Sequence, residues 1–228
     1  MHFLSDIYNL FFPEVCLGCS EILTENEKII CTKCNFNLPL CDYKNLKDNL
    51  LMRAFNGRIP LENAVSLMYY SKKGIVKNLI HNLKYKGHQE IGALFGTWLA
   101  NEIKEKNSFK DIDYIIPVPL HEKRFKERGY NQLDLFGEKL SEILRIPYEK
   151  KLLLKTYHTA KQSKKNRFAR MEKEKTIFRL NPHTDFDNKH FLIIDDIVTT
   201  GATIEACYDC LSTLKNCKFS IAVMAFTI

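Results

Sequence analysis

Phe191-Leu192-Ile193-Ile194-Asp195-Asp196-Ile197-Val198-Thr199-Thr200-Gly201-Ala202-Thr203-Ile204 decides how the rest of this 228-residue chain is read. Four apolar residues without polar alternation suit a strand covered on both faces, as in the interior of a parallel sheet. The spacing predicts a strand over 190–196 with Asp195 and Asp196 at its carboxyl end. Ligands of open α/β sheets bind just outside such ends. Adjacent carboxylates there face hydroxyls or a metal ion, because burying two acids without compensation is costly. Thr199, Thr200, Gly201, Ala202 and Thr203 form a small-residue turn feeding a helix from about Gly201. Its backbone N–H groups and hydroxyls can converge on one phosphate, helped by the positive helix end. That helix field contributes about 0.3–1 kcal/mol, so the number of converging donors matters more. No Gly-Lys-Ser/Thr follows, which excludes a Walker loop.

The other strong signal lies near the start of the chain. Cys16-Leu-Gly-Cys19 and Cys31-Thr-Lys-Cys34 are two Cys-x-x-Cys knuckles separated by eleven residues. Four thiolates complete a closed tetrahedral shell, which makes Cys16, Cys19, Cys31 and Cys34 a structural zinc site with no open coordination position. Two disulfides are the competing reading. Residues 1–12 are amphipathic but lack a basic start, carry Asp6 and are too short to span a bilayer, so the expected location is cytoplasmic, with reduced thiols and no membrane insertion. Cys41 reads as a buried thiol or an alternative ligand. Cys207, Cys210 and Cys217 read as core packing.

Composition frames both signals. The chain is 45% hydrophobic with a formal net charge of +7. That suffices for one α/β domain plus a small appendage, and mildly favours polyanionic partners. There is no repeat, low-complexity tract or long linker. A connecting helix is predicted over 46–55, a strand over 64–70, and helices over 75–83 and 91–103. A strand over 114–118 and a helix over 131–144 follow. Short strands at 151–154 and 176–180 precede the acid-bearing strand, and a last strand covers 219–228. Alternating strands and helices indicate a mostly parallel sheet.

Two basic segments complete the inventory. After Ile116 the chain reads Pro-Val-Pro-Leu-His121-Glu-Lys-Arg-Phe-Lys-Glu-Arg-Gly-Tyr-Asn-Gln132, where proline ends the strand and a rigid cationic loop is expected. Lying at a second strand's carboxyl end, this loop would serve the other anionic portion of the same ligand, or be an ordinary solvated loop of mixed charge. Residues 155–175 interleave Lys and Arg with Tyr157 and Phe168. Such a mixture suits either a flap over a phosphorylated ligand or a nucleic-acid track.

The apolar strand, acid pair and Thr-Gly turn resemble those of the type I phosphoribosyltransferases. Several further marks narrow this to the ComF family of competence-associated proteins, which join a four-cysteine zinc module to such a domain. They are the two knuckles, Leu83-Lys84-Tyr85-Lys86-Gly87, Ile116-Pro-Val-Pro-Leu-His121 with Arg124, Arg128-Gly129-Tyr130-Asn131-Gln132, and Gln162 with Arg167 and Arg170. Where family members usually carry Asn-Val after the two arginines, this chain has Lys173-Glu174. The resemblance implies an α/β fold whose mostly parallel sheet is flanked by helices. An N-terminal helix and zinc ribbon would occupy residues 1–45 and the phosphoribosyltransferase-like domain residues 46–228.

The same resemblance implies that phosphoribosyl pyrophosphate (PRPP) binds with Mg²⁺ near its pyrophosphate. Asp195 and Asp196 would act as catalytic residues on the ribose hydroxyls. Thr199, Thr200, Gly201, Ala202 and Thr203 would wrap the 5-phosphate, with Pro119, Arg124 and Arg128 completing the PRPP site. Lys123, Lys126, Gln162, Arg167 and Arg170 fall to the flap or to nucleic acid. Purine-salvage relatives usually carry an aspartate where Thr199 stands, which disfavours a purine acceptor. Two functions follow: phosphoribosyl transfer to an unidentified acceptor during DNA uptake, or non-catalytic, PRPP-regulated binding of single-stranded DNA, with a DNA-translocating helicase as a candidate partner.

Overall fold

The structure is a computed structural model that describes residues 11–42, 45–106, 109–155, 178–182 and 186–227. The described chain runs α1 (Thr32–Phe36), α2 (Leu50–Phe55), β1 (Asn63–Tyr70), α3 (Ile75–Tyr85), α4 (Glu90–Ile103), β2 (Tyr114–Pro117), α5 (Glu122–Arg128), α6 (Asp134–Leu144), β3 (Leu153–Lys155), β4 (Phe178–Leu180), β5 (His190–Val198), α7 (Ala202–Leu211) and β6 (Lys218–Thr227). Four strands make one sheet in the order β1-β6-β5-β2, every neighbouring pair parallel. β3 and β4 form a separate antiparallel pair.

The apolar run that opened the sequence reading becomes β5, flanked by β6 and β2. Phe191, Leu192, Ile193 and Ile194 are inaccessible to solvent, as are Ile221 to Ala225 of β6. Continuous apolar character is what a strand covered on both faces requires. Side chains alternate across a strand, so Asp195 and Asp196 leave β5 on opposite faces. Asp196 meets Lys84 of α3 and Gln132 just before α6. Asp195 faces the side of α7, where Cys207 lies.

Register explains why this region is open. β2 stops at Pro117, opposite Ile194, and Val118 makes the last backbone bond, its N–H donating to Ile194 O at 2.9 Å. β5 continues against β6 through Ile197, opposite Ala225, and Val198, opposite Phe226. From Asp195 onward β5 therefore has a partner on one side only, and a crevice opens where β2 has ended. The strand runs two residues beyond the expected end at Asp196, which sets the acids inside it rather than at its tip.

The ribbon is tied to this frame by its own backbone. The N–H of Tyr69 donates to Pro39 O and that of Cys41 to Leu67 O, so residues 39–41 run beside β1. Asn49 caps α2 by accepting from the Met52 N–H at 3.0 Å, and its amide donates to Ala64 O of β1 at 2.8 Å. The predicted helix at the N-terminus falls mostly on residues outside those described. The division at residue 45 remains a reading of sequence.

Candidate functional site

Each carboxylate oxygen of Asp196 is engaged by a neighbour. Lys84 Nζ lies 2.6 Å from Oδ1 and Gln132 Nε2 donates to Oδ2 at 2.8 Å, with the carboxylate almost wholly enclosed. Gln132 is itself held, because its Oε1 accepts from Arg128 Nη1 at 2.6 Å. The Arg128 guanidinium sits 5.0 Å from the Tyr85 ring centre, and Tyr130 donates its hydroxyl to Leu83 O. Lys84, Tyr85, Gly87, Glu127, Arg128 and Tyr130 line a small recess of about 120 Å³ beside this network. Charge-assisted bonds of this kind are roughly twice as strong as neutral ones, so the chain 85–128–132–196–84 fixes one acid.

Asp195 behaves differently. Burial pushes its carboxyl up to about 8 and the neighbouring Asp196 charge adds to this, while the Asp196 N–H, Lys84 and Lys155 pull the other way. The Asp196 N–H donates to Asp195 Oδ1 at 2.8 Å. Cys207 is likewise pushed well above its ordinary value by burial and then by Asp195. Lys155 is lowered by burial and by Arg124 nearby. Arg124, Lys155 and Asp195 thus share one electrostatic neighbourhood, the only tie the structure provides between Arg124 and the acids among the described residues.

The turn after β5 has the shape that its composition foretells. Thr199, Thr200, Ala202 and Thr203 are exposed, whereas Gly201 is buried with φ +82° and ψ −7° and precedes α7 without a side-chain cap. A Cβ on Gly201 would lie 2.7 Å from the Phe55 ring, so glycine is required by backbone conformation and by space. Thr200 Oγ1 accepts from the Ala202 N–H at 3.4 Å. Beneath the turn, Arg58 donates from Nη2 to Thr200 O at 2.8 Å, from Nε to Glu205 Oε1 at 2.5 Å and from Nη1 to Ala54 O at 3.0 Å. The Thr200 carbonyl is thus engaged by Arg58, while Thr199, Thr200 and Thr203 carry their hydroxyls on exposed residues, a composition that suits an anion.

The segment after β2 is a helix rather than the loop expected. His121 caps it by accepting from the Lys123 N–H, and Gly129 in the left-handed region closes it. Lys126 pairs with Glu122 at 3.0 Å and Lys123 with Glu127 at 3.9 Å along its exposed face. Such pairs contribute about 0.3–0.5 kcal/mol each. Pro119, Leu120, Phe125, Lys155 and Arg179 border an open groove of about 770 Å³ beside β3 and β4. Gln162, Arg167 and Arg170, with Tyr157 and Phe168, lie outside the described residues.

The cysteines form the second site. The eight cysteines are free thiols, and the Sγ atoms of Cys16, Cys19, Cys31 and Cys34 all lie within 4.8 Å of one another. Cys19 and Cys31 are 3.7 Å apart. Zinc–sulfur bonds of about 2.3 Å place the corners of a tetrahedron about 3.8 Å apart, so this donor set fits one such ion. Backbone N–H groups of Gly18 and Cys31 point at Cys16 Sγ at 3.4 and 3.2 Å. Burial opposes ionisation of Cys16, but the N–H groups of Cys31, Cys19 and Gly18 prevail and lower it to about 7. Burial and then the other thiols push Cys34 far up. Cys41 is not part of the cluster, and burial raises it to about 11.

The acids offer few free oxygens to a cation. Each Asp196 oxygen already has a partner and Asp195 is enclosed, so a Mg²⁺ ion would fit here as one carried on a phosphate-bearing ligand rather than in a protein-built cage. Arg58, Lys84 and Gln132 were not assigned to the site by sequence. Lys84 and Gln132 stood within short motifs, but their pairing with Asp196 crosses 112 and 64 residues; Arg58 reaches Thr200 across 142 and carried no local signal.

Residues 135–227 match the phosphoribosyl transferase domain family. The DNA utilization protein YhgH of Shigella flexneri is 30% identical over 193 residues, covering 83% of this chain and 80% of that protein. YhgH of Escherichia coli (strain K12) is 29% identical over the same length. The competence protein ComFC of Bacillus subtilis is 26% identical over 223 residues, covering 94% of this chain and 83% of its own. No helix among the described residues is long and apolar enough to cross a membrane.

Proposed function

The chain belongs to the ComF family, and from that membership and the site geometry we propose that it binds magnesium-complexed PRPP at the end of β5 and acts in DNA uptake. One observation carries this reading. Two acids and a glycine-dependent donor turn follow one another along a single strand, at the point where its neighbour β2 has ended. The 5-phosphate lies on the donors of 199–203. Asp195 and Asp196 orient the ribose hydroxyls, and Pro119, Arg124 and Arg128 border the pyrophosphate.

At neutral pH the raised Asp195 carboxyl keeps its proton and can both donate to and accept from a hydroxyl. A magnesium ion carried on the ligand would supply charge neutralisation to its pyrophosphate, beside Pro119, Arg124 and Arg128. The chain's own part is to hold the sugar and exclude water around Asp195 and Asp196. Calorimetric titration with Mg-PRPP tests the reading. Saturable binding, abolished in the Asp195→Asn/Asp196→Asn double variant while metal content and the cooperative fold persist, is the expected result. Unchanged affinity in that variant removes the assigned site. Pyrophosphate release on adding an acceptor would make the protein a transferase, and binding without release a PRPP-gated binder.

A second reading has its own support, the half-exposed Phe125 set among Lys150, Lys151, Lys155 and Arg179 around the open groove. Aromatic and cationic groups in one groove suit stacked bases and their phosphates. We propose that single-stranded DNA follows this groove and α5 on the cytoplasmic side, where a DNA-translocating helicase would deliver it. Oligonucleotide affinity should then fall steeply as salt rises, because phosphate contacts release counterions. Affinity indifferent to salt would count against it. Zinc in the four-cysteine site completes the proposal as a structural ion.

A further inference from the structure

Helix α3 joins the two sites, and its two ends make different contacts. Toward the ribbon, Ile75, Asn78 and Asn82 recur at spacings of three and four, one stripe of an α-helix. Asn78 Nδ2 donates to Gly18 O at 2.8 Å and Asn82 Nδ2 to Leu17 O at 2.8 Å. Ile75 packs on the cysteine cluster, and its Cγ2 stands 2.9 Å from where a Gly18 Cβ would lie. Leu17 and Gly18 are the two residues inside the first Cys-x-x-Cys, so α3 grips the knuckle itself rather than a loop hanging from it.

The last turn of the same helix reaches the acids. Lys84 pairs with Asp196, Leu83 O accepts the Tyr130 hydroxyl, and Tyr85 underlies Arg128. Asn82 and Lys84 are separated by about 3 Å along the axis, at 1.5 Å per residue. Val76, Leu79, Ile80 and Leu83 are buried against the core on the other side of the helix. Apolar contacts alone tolerate small slides and rotations. Two directional amide-to-carbonyl bonds one turn apart fix both.

We infer that Asn78 and Asn82 are positioning residues through which the metal-binding knuckle sets α3, and with it Lys84 against Asp196. The ribbon is then part of the ligand site's framework, acting through α3. Stripping the metal would release the Leu17 and Gly18 carbonyls from fixed positions and loosen the far end of the helix.

Hydrogen exchange on the full chain tests this, with metal content measured in parallel. Asn78→Ala and Asn82→Ala should keep the metal while exchange in 83–86 and 130–132 quickens roughly three- to tenfold, the effect of one lost hydrogen bond. Asn82→Gln, which keeps the donor, should recover part of that loss. Chelation of the wild-type protein should quicken the same segments. Exchange unchanged there in the metal-loaded variants, or raised evenly over the whole chain, overturns the inference.

A second arm rests on the PRPP reading: Asn82→Ala and Lys84→Ala should weaken Mg-PRPP binding non-additively, since one acts through the other. Fully additive losses overturn the inference as well. Should the wild-type protein bind no PRPP, that reading fails and the exchange arm alone still decides whether the knuckle sets α3.

Discussion

The ribbon around Cys16 and the strand around Asp195 both bury groups that prefer water, and they do so by different means. In the ribbon the buried cluster is sulfur: Cys16, Cys31 and Cys34, with Leu23, Ile30 and Ile75 packed around them. Several of its larger apolar side chains face outward, Phe36 at 88% exposure and Ile22 at 67%. A region that leaves these outside has little hydrophobic driving force of its own, and on the proposed reading its order would depend on a cation joining four thiolates. Around Asp195 the relation is reversed. A deep apolar core supplies the stability, and the acid is carried as a cost offset by the Asp196 N–H and by Lys84 and Lys155. On that reading, order in one region would follow the ion, and in the other it follows buried area.

The sharpest way to break this contrast is to remove the metal. Structural zinc contributes about 10–16 kcal/mol of binding in comparable peptides. Chelation, or Cys16→Ser with Cys34→Ser, should abolish protection in 16–34 while β5 and β6 stay protected; simultaneous loss in the sheet would erase the distinction. Next in size is the sheet's own core. Phe191→Ala should cost about 3–5 kcal/mol, read by chemical denaturation, with stoichiometric metal retained.

Acid–base behaviour separates the regions further. Asp195 is raised from 3.8 to about 8, so the folded state holds a proton that the unfolded state releases above pH 4. Its contribution is fully present below that pH and is lost as pH rises to about 8. Asp195→Asn should remove the slope, gaining on the wild type by roughly 1 kcal/mol per pH unit at most across that window. Glu27 in the ribbon has the opposite sign: the N–H groups of Thr24 and Thr32 hold its carboxylate down to about 2. Its small, exposed contribution exists above pH 4.5 and fades as pH falls toward 2, and Glu27→Gln should flatten that acid limb of the melting-temperature profile. Matching slopes in the two variants would contradict the contrast.

Much of this was legible because the deciding signals are local. Four apolar residues before two acids can hardly be anything but a covered strand, and paired Cys-x-x-Cys knuckles specify a sulfur cluster. What stayed hidden was made by tertiary structure. Residues 122–128 lack apolar periodicity, and their helix is held instead by the His121 cap, Gly129 and paired charges, none of which a hydrophobic pattern reports. The extra reach of β5 to Val198 comes from pairing with β6, which the acids disguise as a strand end. Lys84 and Gln132 stood inside noticed motifs, but their convergence on Asp196 is set by how α3 and α6 pack.

The Phe55 ring against Gly201 reaches beyond conformation. It makes the short connecting helix α2 the floor of the turn after β5, and Arg58 three residues later its fastening. A fragment beginning after Arg58 would keep every strand of the sheet and both acids, yet lose the support under the turn at 199–203. A cut that removes the ribbon must therefore fall before α2 to keep this floor, and even then it frees α3 from the Leu17 and Gly18 carbonyls.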